Sequence, residues 1–153
     1  PGSLTSPSPY WEEQLAGMRY LLDATPEIVA NLRQHCLEIT GDWAYKYRAH
    51  HRRDAPLFRA ALDALRKTSD DAFVYFVSES PVLGGFGHDI DGQLVNRDTL
   101  KYYEAILVMK KAGLLPPLSQ NFLKENRFWK VVEIGGGWGG LCYHRSASQK
   151  ARL

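Results

Sequence analysis

A glycine-rich stretch near residue 135 constrains the fold of this chain more than any other feature. The run from Phe128 to Ile134 is mostly apolar and predicts a short buried strand. It leads directly into a turn that contains Gly135, Gly136, Gly137, Trp138, Gly139 and Gly140. Glycines in this position allow a tight turn and a close approach of the backbone to a ligand. We therefore expect a cofactor to bind at this turn.

Two classes of cofactor use a turn of this kind. Gly135, Gly137 and Gly140 fit the G-x-G-x-x-G pattern of dinucleotide-binding domains. A dinucleotide would bring its pyrophosphate to the turn, where Glu133 places a carboxylate of the same charge. S-adenosylmethionine carries no phosphate, and its ammonium group is a suitable partner for a carboxylate at the end of a strand. Glu133 therefore favours S-adenosylmethionine over a dinucleotide.

At these residues the chain resembles the class I S-adenosylmethionine-dependent methyltransferases, whose first motif is acidic-x-Gly-x-Gly-x-Gly. A second stretch, from Gly84 to Tyr102, precedes a helix and then the turn, and this order is similar to the sugar O-methyltransferase family over residues 80–142. The resemblance implies S-adenosylmethionine as cofactor and a sugar or nucleotide-sugar hydroxyl as methyl acceptor. It implies a cofactor site made by Glu133, Gly135, Gly136, Gly137, Trp138 and Gly139.

The order of these patterns predicts a mainly α chain. We expect a disordered leader at residues 1–9, a helical cap domain at 10–127, and the first strand and turn of an α/β Rossmann-like domain at 128–153. One βαβ unit takes ~30 residues or more, so residues 140–153 are too few for a second strand and the Rossmann-like domain is expected to be truncated. A lone strand leaves its backbone groups unpaired. We therefore expect that residues 128–134 either mediate self-association or are disordered.

Helix signals divide the predicted cap domain. Ser8-Pro9 and Thr25-Pro26 are typical helix starts, and Gly41 is a typical helix end. Further helices are predicted for residues 42–53, from Asp54-Ala55-Pro56 onward, and from the N-cap Asn96 to Gly113. Residues 73–77 fit a helix and a strand equally well. The predicted buried faces comprise Trp11, Leu15, Met18 and Leu22 in the first helix, Ile28, Leu32, Cys36 and Ile39 in the second, and Leu57, Ala61, Leu62 and Leu65 in the fourth.

Two polar groups in the cap domain are candidates for binding or catalysis. The segment 81–96 is rich in glycine and predicts a shaped loop, in which His88 and Asp91 could together deprotonate a sugar hydroxyl. Alternatively, such a pair could hold a divalent metal, or Asp89 and Asp91 could only build turns. The basic cluster of Lys46, Arg48, His50, His51, Arg52 and Arg53 would suit the diphosphate of a nucleotide-sugar, or would be a solvated helix end.

Composition narrows the class of protein further. The 153 residues are 44% hydrophobic and 24% charged, which is typical of one soluble domain. The net charge of +2 is too small to indicate nucleic acid or a membrane surface as a partner. Cys36 and Cys142 lie far apart, without the spacing of a zinc site, and are typical of reduced thiols in a cytoplasmic protein. We expect no metal.

Three functions are therefore compatible with the sequence. The resemblance implies a methyltransferase in the intact parent protein. The glycine spacing alone also fits a fragment of an NAD(P)-dependent oxidoreductase. The many helices also fit a catalytically silent interaction domain.

Overall fold

The computed structural model describes residues 6–115 and 141–144 of the chain. This part is mostly helical, which confirms the mainly α prediction. Short 3-10 helices at Arg19–Asp23 and Ala72–Tyr75 add to the regular elements. The helices are α1 Pro9–Met18, α2 Pro26–Ala30, α3 Leu32–His35, α4 Leu37–Thr40, α5 Ala44–Ala49, α6 His51–Arg66 and α7 Arg97–Lys111, and the strands are β1 His88–Ile90 and β2 Gln93–Val95.

The first helix begins where it was predicted, but its apolar face is not buried. Ser8 caps α1 by accepting a hydrogen bond from the Trp11 amide at 3.5 Å, and Pro9 is its first residue. Leu15 is 51% exposed and Leu22 is 82% exposed, so the prediction that this face is buried was wrong. The reason is that α1 turns its Gly17 side toward α4, where a Cβ at position 17 would meet the carboxylate of Glu38.

The second predicted helix is broken into α2, α3 and α4. The breaks fall at Asn31 and Cys36, whose backbones leave the helical region. Between the two breaks the backbone bonds to a distant segment of the chain: the Arg33 amide donates a hydrogen bond to the Leu83 carbonyl at 2.8 Å. These tertiary hydrogen bonds replace those of a continuous helix. Gly41 ends α4 with a φ of 65°, as its left-handed position predicts.

The boundary predicted at Asp54 is also wrong. A short turn at His50 separates α5 from α6, and α6 continues through Pro56. The face that packs inward carries the fully buried Leu62 and the half-buried Phe58 and Leu65. Leu57 and Ala61, which were predicted to point inward, are exposed.

Residues 88–95 form an antiparallel hairpin instead of the predicted irregular loop. β1 and β2 pair with His88 opposite Val95 and Ile90 opposite Gln93. The turn residues Asp91 and Gly92 both have positive φ, 54° and 77°, which is typical of a type I′ hairpin turn. Aspartate followed by glycine is the local sequence signal for this turn, and it was available in the sequence.

The hairpin positions the last long helix and the core. The Asn96 side chain accepts from the Thr99 amide at 2.9 Å, and Thr99 Oγ1 accepts from the Asn96 amide at 2.9 Å, so the predicted cap of α7 is a full capping box. Gly113 follows the helix with a φ of 70°. The main core lies between α6, the hairpin and α7, and comprises Leu62, Ala72, Tyr75, Ile90, Val95, Tyr103, Ile106 and Leu107.

None of the helices in the described ranges is both long enough and apolar enough to cross a membrane.

Candidate functional site

The predicted cofactor turn is followed in the chain by a short helical segment that packs against the main core. Glu133, Gly135, Gly136, Gly137, Trp138 and Gly139 lie outside the described residues, and so does the strand 128–134, so their roles stay predictions. Residues 141–144, immediately beyond the turn, are helical. Leu141 packs against the main core, and the His144 ring lies 5.4 Å from the ring of Tyr102 on α7. The chain that leaves the turn is therefore held on α7.

His144 is an unusual group to find at this position. Its side chain is fully buried, and neither ring nitrogen has a hydrogen-bond partner within the part of the chain that the structure describes. Burial and the nearby positive charge of Arg33 lower the pKa of His144 to about 4. The imidazole is therefore neutral at pH 7, and its donor and its acceptor have no partner among the described residues.

A buried ion pair lies close to His144. The Arg33 guanidinium bonds to Oε1 of Glu79, and both side chains are almost completely buried. The second carboxylate oxygen, Oε2, accepts from Asn96 Nδ2 at 2.8 Å. The same Asn96 nitrogen donates to the Phe86 carbonyl at 2.9 Å. Three distant segments, α3, the approach to the hairpin and the start of α7, are therefore joined by one polar network.

Opposing effects act on the pKa of Glu79. Desolvation raises the pKa of its carboxyl group, while the Arg33 charge and the bonds from Arg33 and Asn96 act to lower it. Arg33 also lies over the Phe86 ring, with 5.5 Å between the guanidinium carbon and the ring centroid. Sequence reasoning missed both Arg33 and Glu79. No local pattern marks them, because 46 positions separate them in the chain.

His88, one of the two predicted catalytic residues, is buried in an aromatic pocket. Its Nδ1 lies 3.2 Å from Nδ1 of His51, which is exposed on α6. The rings of Tyr47 and Phe58 approach the His88 ring to 4.9 and 4.7 Å between centroids. Burial lowers the pKa of His88, the charge of His51 lowers it further, and the negative charge of Asp54 opposes both. His88 is therefore neutral at pH 7 and reaches the surface through His51.

The structure does not bring the two predicted catalytic residues together. Asp91 sits on the hairpin turn, and its carboxylate binds Arg59 through two hydrogen bonds of 2.5 and 2.8 Å. His88 lies in β1 and contacts His51 instead. Asp89 builds the turn instead, since its Oδ1 accepts from the Gly92 amide at 2.8 Å. The carboxylate that acts on His88 belongs to Asp54, which sequence reasoning treated only as a helix cap.

The basic cluster occupies the exposed junction between α5 and α6. Its six residues, Lys46, Arg48, His50, His51, Arg52 and Arg53, all lie on the surface, and His51 contacts the buried His88. Arg53 pairs with its neighbour Asp54 through two hydrogen bonds of 2.6 and 3.0 Å. Both interpretations of the cluster, a phosphate-binding surface and a solvated helix end, stay open.

Within residues 6–115 and 141–144, no group of three or more His, Cys, Asp or Glu side chains is arranged to hold a metal ion.

Comparisons of the chain with models of known protein families, with curated proteins and with solved structures give no significant match.

The buried ion pair yields a stability prediction. Arg33→Met leaves the Glu79 carboxylate buried without its counter-charge, and we expect the free energy of unfolding to fall by about 3–5 kcal/mol. The matched control is Arg59→Met, which breaks a pair whose side chains are 45% and 66% exposed and should cost no more than about 1 kcal/mol. Urea unfolding followed by circular dichroism measures both. Similar losses in the two variants would contradict the role given to the buried pair.

The burial of His144 predicts how the stability of the protein depends on pH. The folded-state pKa of about 4 lies below the ordinary value of 6.5. The contribution of the neutral ring to the free energy of unfolding is therefore complete above pH 6.5, and it is lost as the pH falls toward 4. We expect this loss to reach about 3 kcal/mol, because each pKa unit corresponds to about 1.4 kcal/mol. His144→Leu should remove this loss of stability at low pH. The unfolding free energy of the variant, compared with that of the wild type, should therefore increase as the pH is lowered from about 7.5 to about 4.5. A difference independent of pH would refute the assignment.

Proposed function

We propose that the chain is the helical cap and first cofactor-binding turn of an S-adenosylmethionine-dependent O-methyltransferase that acts on a sugar or nucleotide-sugar hydroxyl. The observation that carries the proposal is the pattern Glu133-x-Gly135-x-Gly137-x-Gly139. Its support from the described residues is that the chain directly beyond this turn packs against the main core at Leu141 and against Tyr102 of α7 at His144. The same proposal places the protein in the cytoplasm.

The residues next to the turn are compatible with a polar cofactor. Glu133 would meet the ammonium group, and the backbone of Gly135, Gly137 and Gly139 would approach the methionine part. His144 adds a neutral donor and acceptor with no partner among the described residues. When bound, S-adenosylmethionine supplies a methyl group on a sulfonium that an acceptor hydroxyl can take. The residues of the chain then have to orient the hydroxyl and accept its proton.

The His51–His88 pair is the best-formed base within the described residues. When Nδ1–H of His51 donates to Nδ1 of His88, the other nitrogen of His51, Nε2, is left as an acceptor. A proton taken up at Nε2 makes His51 an imidazolium, whose bond to the neutral His88 then becomes stronger. His88 therefore serves as a positioning residue, and His51 is the group that meets the hydroxyl. The neighbouring basic cluster would hold the diphosphate of a nucleotide-sugar.

One alternative has an observation of its own. A catalytically silent interaction domain would need an exposed apolar surface, and α1 presents one, with Trp11 55% and Leu15 51% exposed. The NAD(P)-dependent oxidoreductase has no such support, and Glu133 disfavours it. Binding experiments separate the three possibilities.

Calorimetric titration of the full-length methyltransferase, in which this chain is joined to a complete cofactor-binding domain, with S-adenosylmethionine tests the proposed function. We expect saturable binding, and we expect Glu133→Ala to weaken it about tenfold or more, because a hydrogen bond between charged groups contributes ~1.5–3 kcal/mol. Glu104→Ala, which removes an exposed carboxylate on α7, is the matched control and should bind like the wild type. Tight binding of NAD⁺ in place of S-adenosylmethionine would favour the oxidoreductase. Absence of binding to either compound would favour the interaction domain.

The proposed base is tested separately from the cofactor turn. We expect His51→Gln to lower kcat for methyl transfer by about 10²–10⁴-fold while the affinity for S-adenosylmethionine is unchanged. His88→Gln should also lower kcat, since it removes the neighbour that orients His51. His35→Gln changes an exposed histidine outside both the pair and the basic cluster and should leave the rate near that of the wild type. Equal rates for all three variants would exclude the pair as the base.

A further inference from the structure

The outward side of α1 is an apolar groove that no described residue fills. It measures about 590 Å³ and is lined by Leu15, Ala16, Met18 and Leu22, together with the charged residues Glu12 and Arg19. No residue of α1 is buried. The opposite side of the helix is the one that contacts the protein, because Gly17 lies against Glu38 of α4. The groove is therefore a surface left by the fold and not a gap in its core.

The order of residues along the groove is close to symmetric. Glu12, Leu15, Ala16 and Arg19 follow one another at helical spacing, so they lie in one line along the helix. An acidic residue begins the line, a basic residue ends it, and a large and a small apolar residue form its centre. Neither Glu12 nor Arg19 has an ion-pair partner within the described part of the chain.

We propose that this groove binds the α1 helix of a second copy of the chain, in antiparallel orientation. A two-fold axis through the middle of the line places Glu12 of each copy opposite Arg19 of the other, so two ion pairs form from one type of contact. The same axis places Leu15 of each copy over Ala16 of the other, where the small side chain lets the helices approach closely. A parallel pair would place Glu12 opposite Glu12 and Arg19 opposite Arg19, and like charges would repel.

The expected association is weak. α1 and the 3-10 helix that follows it span residues 9–23, and a contact between two helices of this length falls at the small end of specific interfaces. The ion pairs at the sides of the groove are exposed, so they set the orientation of the two copies more than the affinity. The apolar centre around Leu15 supplies most of the attraction.

Sedimentation velocity over about 10 to 500 µM tests the association with the full chain. We expect the average mass of the wild type to rise with concentration toward that of a dimer. Leu15→Glu should weaken dimerisation about tenfold or more, because it places a charge in the apolar centre. Circular dichroism shows whether each variant keeps the wild-type helix content, which rules out unfolding as the cause.

Charge exchange tests the antiparallel orientation. Glu12→Arg and Arg19→Glu should each weaken dimerisation about fivefold, and the double variant with both changes should restore it. Glu13→Arg makes the same charge change at the next residue, outside the groove, and should behave like the wild type. In a parallel pair, single exchanges would leave the repulsions unchanged.

Four results would overturn the proposal. They are a wild-type chain that stays monomeric at all concentrations, a dimer insensitive to Leu15→Glu, single charge exchanges without effect, and a monomer that uses α1 to bind anionic lipid vesicles. The second result would point to another contact surface, such as residues 128–134. The proposal does not depend on the methyltransferase function, since titration with S-adenosylmethionine and sedimentation can fail independently.

Discussion

The buried bond between Arg33 and Glu79 is the interaction on which the rest of the structure depends. Two opposite charges removed from water are tolerated only when each finds its counter-charge and its remaining hydrogen bonds. Glu79 meets this condition by binding Arg33 with one oxygen and Asn96 with the other. Asn96 also caps α7, so the position of the last long helix is fixed relative to α3 and to the hairpin. The surface on which Leu141 and His144 rest is a product of this arrangement.

Local signals in the sequence predicted local structure well. Ser8-Pro9 and Asn96 begin helices, and Gly41 and Gly113 end them, because each effect acts within one turn of the chain. The aspartate–glycine turn of the hairpin is also local, and it was missed only because the glycines around it suggested an irregular loop. These elements could be predicted from the sequence because their energetics involve neighbouring residues.

Non-local effects account for what could not be predicted. The second predicted helix breaks at Asn31 and Cys36 because Arg33 and Gln34 bond to residues 83–85, and no pattern within residues 26–41 reveals that partner. Helical spacing on α1 shows an apolar face, but it does not show which side of the helix meets the protein. In the candidate site, His88 was found from its residue type. Its partner His51 was named only as part of a charged cluster, since the two histidines meet through the packing of the hairpin on α6.

The contact between His51 and His88 has a consequence for the mechanics of the hairpin. Two Nδ1 atoms 3.2 Å apart have room for a single proton between them, so one ring has to act as donor and the other as acceptor. If both rings carry a proton at Nδ1, two hydrogens face each other and the contact has to open; two like charges add to this repulsion when both rings are imidazolium. Because His88 belongs to β1 and His51 to α6, this opening separates the strand from the helix. The pair therefore links β1 to α6 while one proton lies between the two Nδ1 atoms, and the link opens when each Nδ1 carries its own proton.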